Sequence, residues 1–170
     1  FYQFRNEDDY INKFPEKWIP AVIRIIEEPF TEENKMINST LKMVRHKIVE
    51  TYLDTLNEMY DNGRSSTVCP KNEETVKKLL KKEPENLRYL VDLGTIYNIA
   101  GKHDEAEKQY NNAVKYLQPD QQLVTDLANM FIAKQEYDFA VKAYLKGRKL
   151  FAGIYPFNFE LAERRRIQCD

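Results

Sequence analysis

The chain has 170 residues and a mass of 20.2 kDa, enough to bury the core of one ordinary domain or two small ones. Charged residues make up 31% and apolar ones 42%, with only 5 Gly and 7 Pro, which excludes a disordered or collagen-like chain and points to a folded, helix-rich one. A formal net charge of -1 gives no electrostatic pull toward nucleic acid or an anionic membrane surface, so neither is an expected partner.

No apolar run approaches the roughly 20 residues a spanning helix needs. The longest candidate, Trp18 to Ile26, is interrupted by Pro20 and Arg24. The chain begins at Phe1 and shows no basic-then-apolar leader, which reads as a fragment, a fusion or a processed product. Cys69 and Cys169 are far apart and form no CxxC, the pattern of free thiols in a reducing, cytoplasmic setting. With only His46 and His103, a zinc site or a histidine-based triad is not expected, and no cofactor is expected either.

From the N-terminus, Trp18 to Ile26 is rich in β-branched residues and bounded by Pro20 and Pro29, favouring a short strand, with a helix as the alternative. Next, Asn38 or Ser39 caps one long amphipathic helix running to about Tyr60, with Leu41, Val44, Ile48, Tyr52, Leu56 and Met59 as its stripe. Asn62 to Thr67 reads as a turn-rich linker. The expected boundaries are an N-terminal segment 1–65, a linker 66–71 and a repeat region 72–170.

Within that region Leu90, Gly94, Tyr97, Ala106, Tyr110 and Ala113 recur 34 residues later as Val124, Ala128, Phe131, Ala140, Tyr144 and Gly147. Small residues at 94, 106, 128 and 140 let two antiparallel helices approach closely, and the aromatic residues fill the space beside them. Full units are expected at about 87–120 and 121–154. Gly101 is expected to end a first helix in the left-handed conformation, and Asp104 and Asp138 to cap the second helices. Pro119-Asp120 interrupts the pattern before a restart at about Gln121, and Tyr155-Pro156 interrupts it again. Glu73 to Lys82 reads as the second helix of an earlier unit, with Val76, Leu79 and Leu80 as its stripe. A third unit starts with Ala162 in the small position but carries Arg165 where an aromatic belongs.

These spacings resemble the tetratricopeptide repeat. The stretches Asn86 to Gly94 and Tyr144 to Leu150 are similar to tetratricopeptide proteins of Bacteroidetes-type bacteria. The resemblance implies a mainly α protein, an α-hairpin solenoid of about two and a half repeats preceded by a strand-plus-long-helix segment. It also implies a protein-binding role, with an inner face lined by Arg88, Val91, Thr95, Asn98, Gln122, Thr125, Asn129 and Ile132. Uncharged hydrogen-bonding groups beside apolar ones suit an extended peptide or a partner helix, with Asn98 and Asn129 bonding main-chain amides. The face lacks the paired lysines and arginine that a chaperone-peptide clamp of the same family would require. With so few repeats, apolar solenoid ends are expected to be covered, either by the helix from Ser39 to Tyr60 or by homodimer formation.

A second resemblance covers about Phe14 to Asn72. The segments Phe14 to Pro20, Glu28 to Asn34 and Ile37 to Arg45 look like the C-terminal end of AMP-forming long-chain acyl-CoA ligases. In that family a lysine at the position of Lys42 contacts the reacting carboxylate and the α-phosphate, where a cation offsets developing negative charge. The glycines at 63, 94, 101, 147 and 153 form no phosphate-cradling loop, and the large ATP- and acyl-binding domain is missing. An inactive ligase remnant, or a solvated lysine at a helix start, is therefore the reading of Lys42. Pairs such as Glu27-Glu28, Glu32-Glu33 and Glu73-Glu74 read as wet helix faces, and Arg164 to Arg166 as a solvated tail.

Overall fold

A computed structural model describes residues 22–61 and 71–151. The segment Phe14 to Pro20, the linker Asn62 to Thr67, both cysteines, the break at Tyr155-Pro156, the third unit around Ala162 and Arg165, and the tail at Arg164 to Arg166 lie outside the described residues. Among the described residues the chain is mainly α, with seven helices and no strand. They are α1 (Arg45–Thr51), α2 (Leu53–Asp61), α3 (Lys71–Lys82), α4 (Leu87–Ile99), α5 (His103–Lys115), α6 (Gln121–Ala133) and α7 (Tyr137–Leu150). Packing contacts divide the chain into two units, Phe1–Thr75 and Val76–Asp170.

In the first unit the expected strand at Trp18 to Ile26 is reduced, over its described part 22–26, to a single bridge residue at Ile23, and no helix forms there either. That stretch is held instead by the buried amide of Asn72. Asn72 Oδ1 accepts from Ile25 N at 2.8 Å and from an Arg24 guanidinium nitrogen at 3.3 Å, while Nδ2 donates to the Ile23 carbonyl at 2.9 Å. One side chain on α3 thus satisfies the Ile25 amide and the Ile23 carbonyl together.

Asparagines also organise the loop that follows. Asn34 Oδ1 accepts from Thr31 N and Met36 N, and its Nδ2 donates to the Pro29 carbonyl, which turns the chain and buries Met36.

Asn38 does not cap a helix. Its Oδ1 accepts from Thr40 N, Thr40 Oγ1 and Lys42 N, inside a tight turn closed by the antiparallel bridge between Ile37 and Met43. Leu41, at φ +57, sits in the left-handed region that helix propagation forbids. The helical track therefore starts at Arg45, six residues later than expected, and it bends once, at Tyr52 (φ -109, ψ 22). Backbone bonds Tyr52 N to Ile48 O and Leu56 N to Tyr52 O continue the track across the bend. No side chain caps α1 and its first turn carries the cations Arg45 and Lys47, both poorly matched to the positive end of a helix dipole. The Tyr52 ring stands 6.2 Å from that of Phe30, and Lys71 and Glu58 form an ion pair at 2.6 Å.

The second unit is built from two antiparallel hairpins, α4 with α5 and α6 with α7, and α4 also touches α6 as α5 touches α7. Their backbones repeat with the same period as the sequence. Asn86 caps α4 by accepting from the amides of Arg88 and Tyr89, and Asp120 caps α6 by accepting from those of Gln122 and Leu123. Each such cap stabilises its helix by about 1 kcal/mol. The left-handed residue after each first helix is Gly101 (φ +74) or Gln135 (φ +62). A matching bond from two residues past each C-cap, Ala100 and Lys134, closes both turns, Lys102 N to Tyr97 O and Glu136 N to Phe131 O, each 2.9 Å.

The second helices begin differently from expectation. Their N-caps are Lys102 and Glu136, with no side-chain cap bond, and Asp104 and Asp138 are the second residues of the first turns, where their charge favours the helix N-terminus.

The core of this unit follows the size alternation. Ala106, Ala113, Val124, Leu127, Ala128, Phe131, Ala140 and Ala143 are almost fully buried. Gly94 faces the Tyr110 ring so closely that an added Cβ would overlap Cε1 and lie 2.5 Å from Cδ1. Tyr110, only 2% exposed, packs edge-on against Phe131 at 5.4 Å and Phe139 at 5.0 Å. A ring from the first hairpin is thus enclosed by both helices of the second. Of the α3 stripe, Val76 is buried and Leu79 and Leu80 are half-buried.

Candidate functional site

The first helices of the two hairpins, α4 and α6, carry all eight residues expected to meet a partner, and the structure sorts them into three groups. Arg88, Gln122 and Asn129 are exposed. Thr95, Asn98, Thr125 and Ile132 are half-buried. Val91 is 1% exposed and belongs to the core, so it cannot line a surface. The reason is angular: Val91 stands four residues after Leu87 and three before Gly94, the spacing of one buried helix face, whereas the outward stripe passes through the next positions.

That outward stripe is Arg88, Asp92, Thr95 and Ile99 on α4, and Gln122, Asp126, Asn129 and Ala133 on α6, at the spacing of one helix face. Asp92, Ile99, Asp126 and Ala133 lie outside the expected set. The recurrence of Asp92 at Asp126 was available in the sequence as part of the same period. Ile99 is half exposed at the end of α4, where its neighbour Ala100 begins the turn. Partial burial pushes the Asp92 carboxyl above its ordinary range, and the positive charges of Lys134 and Arg88 counter part of the rise.

Hydroxyls on this face are directed inward. Thr95 Oγ1 donates to the Val91 carbonyl at 2.8 Å and receives the Tyr110 hydroxyl at 3.4 Å, and Thr125 Oγ1 donates to the Gln121 carbonyl at 3.0 Å. Gln122 Nε2 donates to Asp126 Oδ1 at 2.8 Å, one turn along the same stripe.

Asn98 is committed within the chain. Its Nδ2 donates to Glu136 Oε1 at 2.6 Å, and its Oδ1 lies against His103 Nδ1, which therefore carries the proton in this pairing. Desolvation raises the Glu136 carboxyl above the ordinary glutamate value, opposed by the hydrogen bonds from Asn98 and Tyr110 and by the nearby His103. Burial also pushes the Tyr110 phenol up to about 12, so it stays a neutral donor across the physiological range. One hydrogen of the Asn98 amide and one lone pair of its oxygen are used, which leaves Asn129, exposed on α6, as the amide better placed to meet a peptide backbone.

Lys42 lies far from this face in sequence and belongs to the first unit, exposed on the Asn38 turn and not at a helix start. Among the described residues no group of three His, Cys, Asp or Glu side chains could hold a metal ion, and no helix is long and apolar enough to cross a membrane. No protein-family model matches the chain, and no curated protein is significantly similar to it.

Proposed function

We propose that 87–150 is a tetratricopeptide-type α-hairpin pair that serves as a protein–protein interaction module and not as an enzyme. A single observation carries this reading: the two hairpins repeat in sequence, in capping residue and in left-handed turn with one period. A regular stacking of that kind presents first-helix side chains as a continuous ribbon to a partner. The ribbon is Arg88, Thr95 and Ile99 followed by Gln122, Asp126 and Asn129. Its mixture of amide, carboxylate and aliphatic groups suits an extended peptide or an amphipathic helix. The wide spacing of Cys69 and Cys169 supports a reducing, cytoplasmic setting.

Selection of a displayed random-peptide library on the purified full chain, followed by calorimetry on the enriched peptide, tests the proposal. Binding is expected, and replacing Gln122 and Asn129 together by alanine should weaken it by about tenfold, or 1.4 kcal/mol. Failure to enrich any peptide, or an enriched peptide indifferent to both substitutions, would sink it. Exchange of pyrophosphate into ATP in the presence of a long-chain fatty acid should be at background. Turnover by this chain would overturn the reading in favour of the ligase resemblance.

A further inference from the structure

Five of the six large hydrophobic side chains exposed among the described residues fall within 20 residues of the first unit: Leu41, Met43, Val49, Leu53 and Tyr60. Three of them share one side of the bent α1–α2 track. Val49, Leu53 and Tyr60 follow each other at four and seven residues, the spacing of one helix face, whereas Ile48, Tyr52, Thr55 and Met59 occupy the other side and are half-buried. Tyr52 meets Phe30 there. The outward stripe is therefore a second apolar face on a helix whose inner face is already used. Isolated exposed hydrophobics need no explanation, but a contiguous row of them does.

The charge pattern along the same track selects what covers it. From Leu41 to Val49 the charged side chains are Lys42, Arg45 and Lys47, all basic, and from Glu50 to Tyr60 they are Glu50, Asp54 and Glu58, all acidic. Neither Arg45 nor Asp54 forms an ion pair among the described residues, although Lys47 holds Glu50 and Lys71 holds Glu58.

A surface that is basic at one end, acidic at the other and apolar between is complementary to itself when reversed. We infer that two copies of this chain pair through α1–α2, antiparallel, about a two-fold axis near Thr51. In that register Val49 of each copy packs on Leu53 of the other. Arg45 then comes beside the Asp54 to Glu58 stretch of the second copy, and Met43 comes beside its Tyr60. A parallel pairing would set Arg45 against Arg45 and Asp54 against Asp54. The antiparallel arrangement is isologous, so it closes at two copies and leaves no further edge for growth. Its charged flanks are solvent-exposed, so the pairing weakens as salt rises.

Sedimentation velocity of the full chain over a concentration series reads this directly. A monomer–dimer equilibrium is expected, and Leu53→Asp should shift the dissociation constant by at least about tenfold with unchanged far-UV circular dichroism, because Leu53 is exposed and supports no core. Arg45→Glu and Asp54→Lys should each weaken the dimer, while the two together, which rebuild the pair with signs exchanged, should return it to within about threefold of the original. A chain that is monomeric at every concentration overturns the inference, as does a dimer indifferent to Leu53→Asp. A double charge exchange weaker than either single change overturns the antiparallel register.

Discussion

Replacing Gly94 by alanine adds one methyl group in the middle of α4, where alanine is intrinsically better than glycine by about 1 kcal/mol. On an exposed helix this would stabilise the protein. Here the methyl would overlap Cε1 of Tyr110 and lie 2.5 Å from Cδ1, with Cζ at 3.1 Å. The ring cannot swing aside, since Phe131 and Phe139 confine it and its hydroxyl reaches Thr95. Overpacking in a filled core costs about 1–3 kcal/mol, and a confined ring puts the cost toward the upper end, leaving a net loss of about 1–2 kcal/mol. Equilibrium urea denaturation followed by far-UV circular dichroism should show a lower midpoint with an unchanged slope. In the Tyr110→Leu background the same alanine should be neutral or stabilising, because the obstructing atoms are gone and the helix preference remains. A Gly94→Ala chain as stable as the original, or an equal loss in both backgrounds, would refute the steric account.

Asn72→Ala leaves the Ile25 amide and the Ile23 carbonyl without their partner, and should cost about 1–3 kcal/mol, with hydrogen exchange at Ile25 accelerating first. Asn86→Ala and Asp120→Ala should each lose about 1 kcal/mol in thermal or urea unfolding, and a clear inequality would mean the two caps are not equivalent. Gln135→Gly should gain about 1 kcal/mol, because Gln135 holds φ +62 where Gly101 holds φ +74; a loss would show that its side chain does something the backbone does not. Glu136 has its folded-state pKa raised above 4.5, so the folded chain holds that proton more tightly than the unfolded one. The resulting contribution is full at acid pH and is lost as pH rises through the raised value. Glu136→Gln keeps an acceptor for Asn98 and should remove that part of the slope, raising stability at neutral pH relative to the original chain. Identical pH–stability curves for the two chains would contradict this.

The second unit was legible because its rules are local and recur. Helix limits at Gln121, the left-handed Gly101 and the small-against-aromatic pairing of Gly94 and Tyr110 each follow from a residue type at a fixed spacing. Gln135 was not legible, because nothing in a glutamine announces a positive φ; only its register with Gly101 does. Asp104 and Asp138 misled for a related reason. An acidic residue near a helix start either caps it or sits within its first turn, and the choice depends on where the preceding turn releases the chain, here at Lys102 and Glu136. The first unit was harder to read because its asparagines act over distance or inside turns. A periodic stripe from Leu41 gives no sign that Asn38 folds back on Lys42, and no local signal connects Asn72 to Ile23 and Ile25. On the candidate surface the face was readable but its angular edge was not, which is why Val91 fell in the core and Asp92 and Asp126 emerged beside Arg88 and Gln122.

The Tyr110 ring, packed against both Phe131 and Phe139, bears on how finely this chain can be divided. A hairpin cut out after Tyr116 would carry away a tyrosine whose walls stayed behind, and the remaining hairpin would bare the side of its Phe131–Phe139 pair that the tyrosine covers. Neither piece is a modular brick, despite the regular period. Shuffling or grafting at this junction should succeed only when the cut moves both hairpins together, so the smallest transplantable portion is the pair.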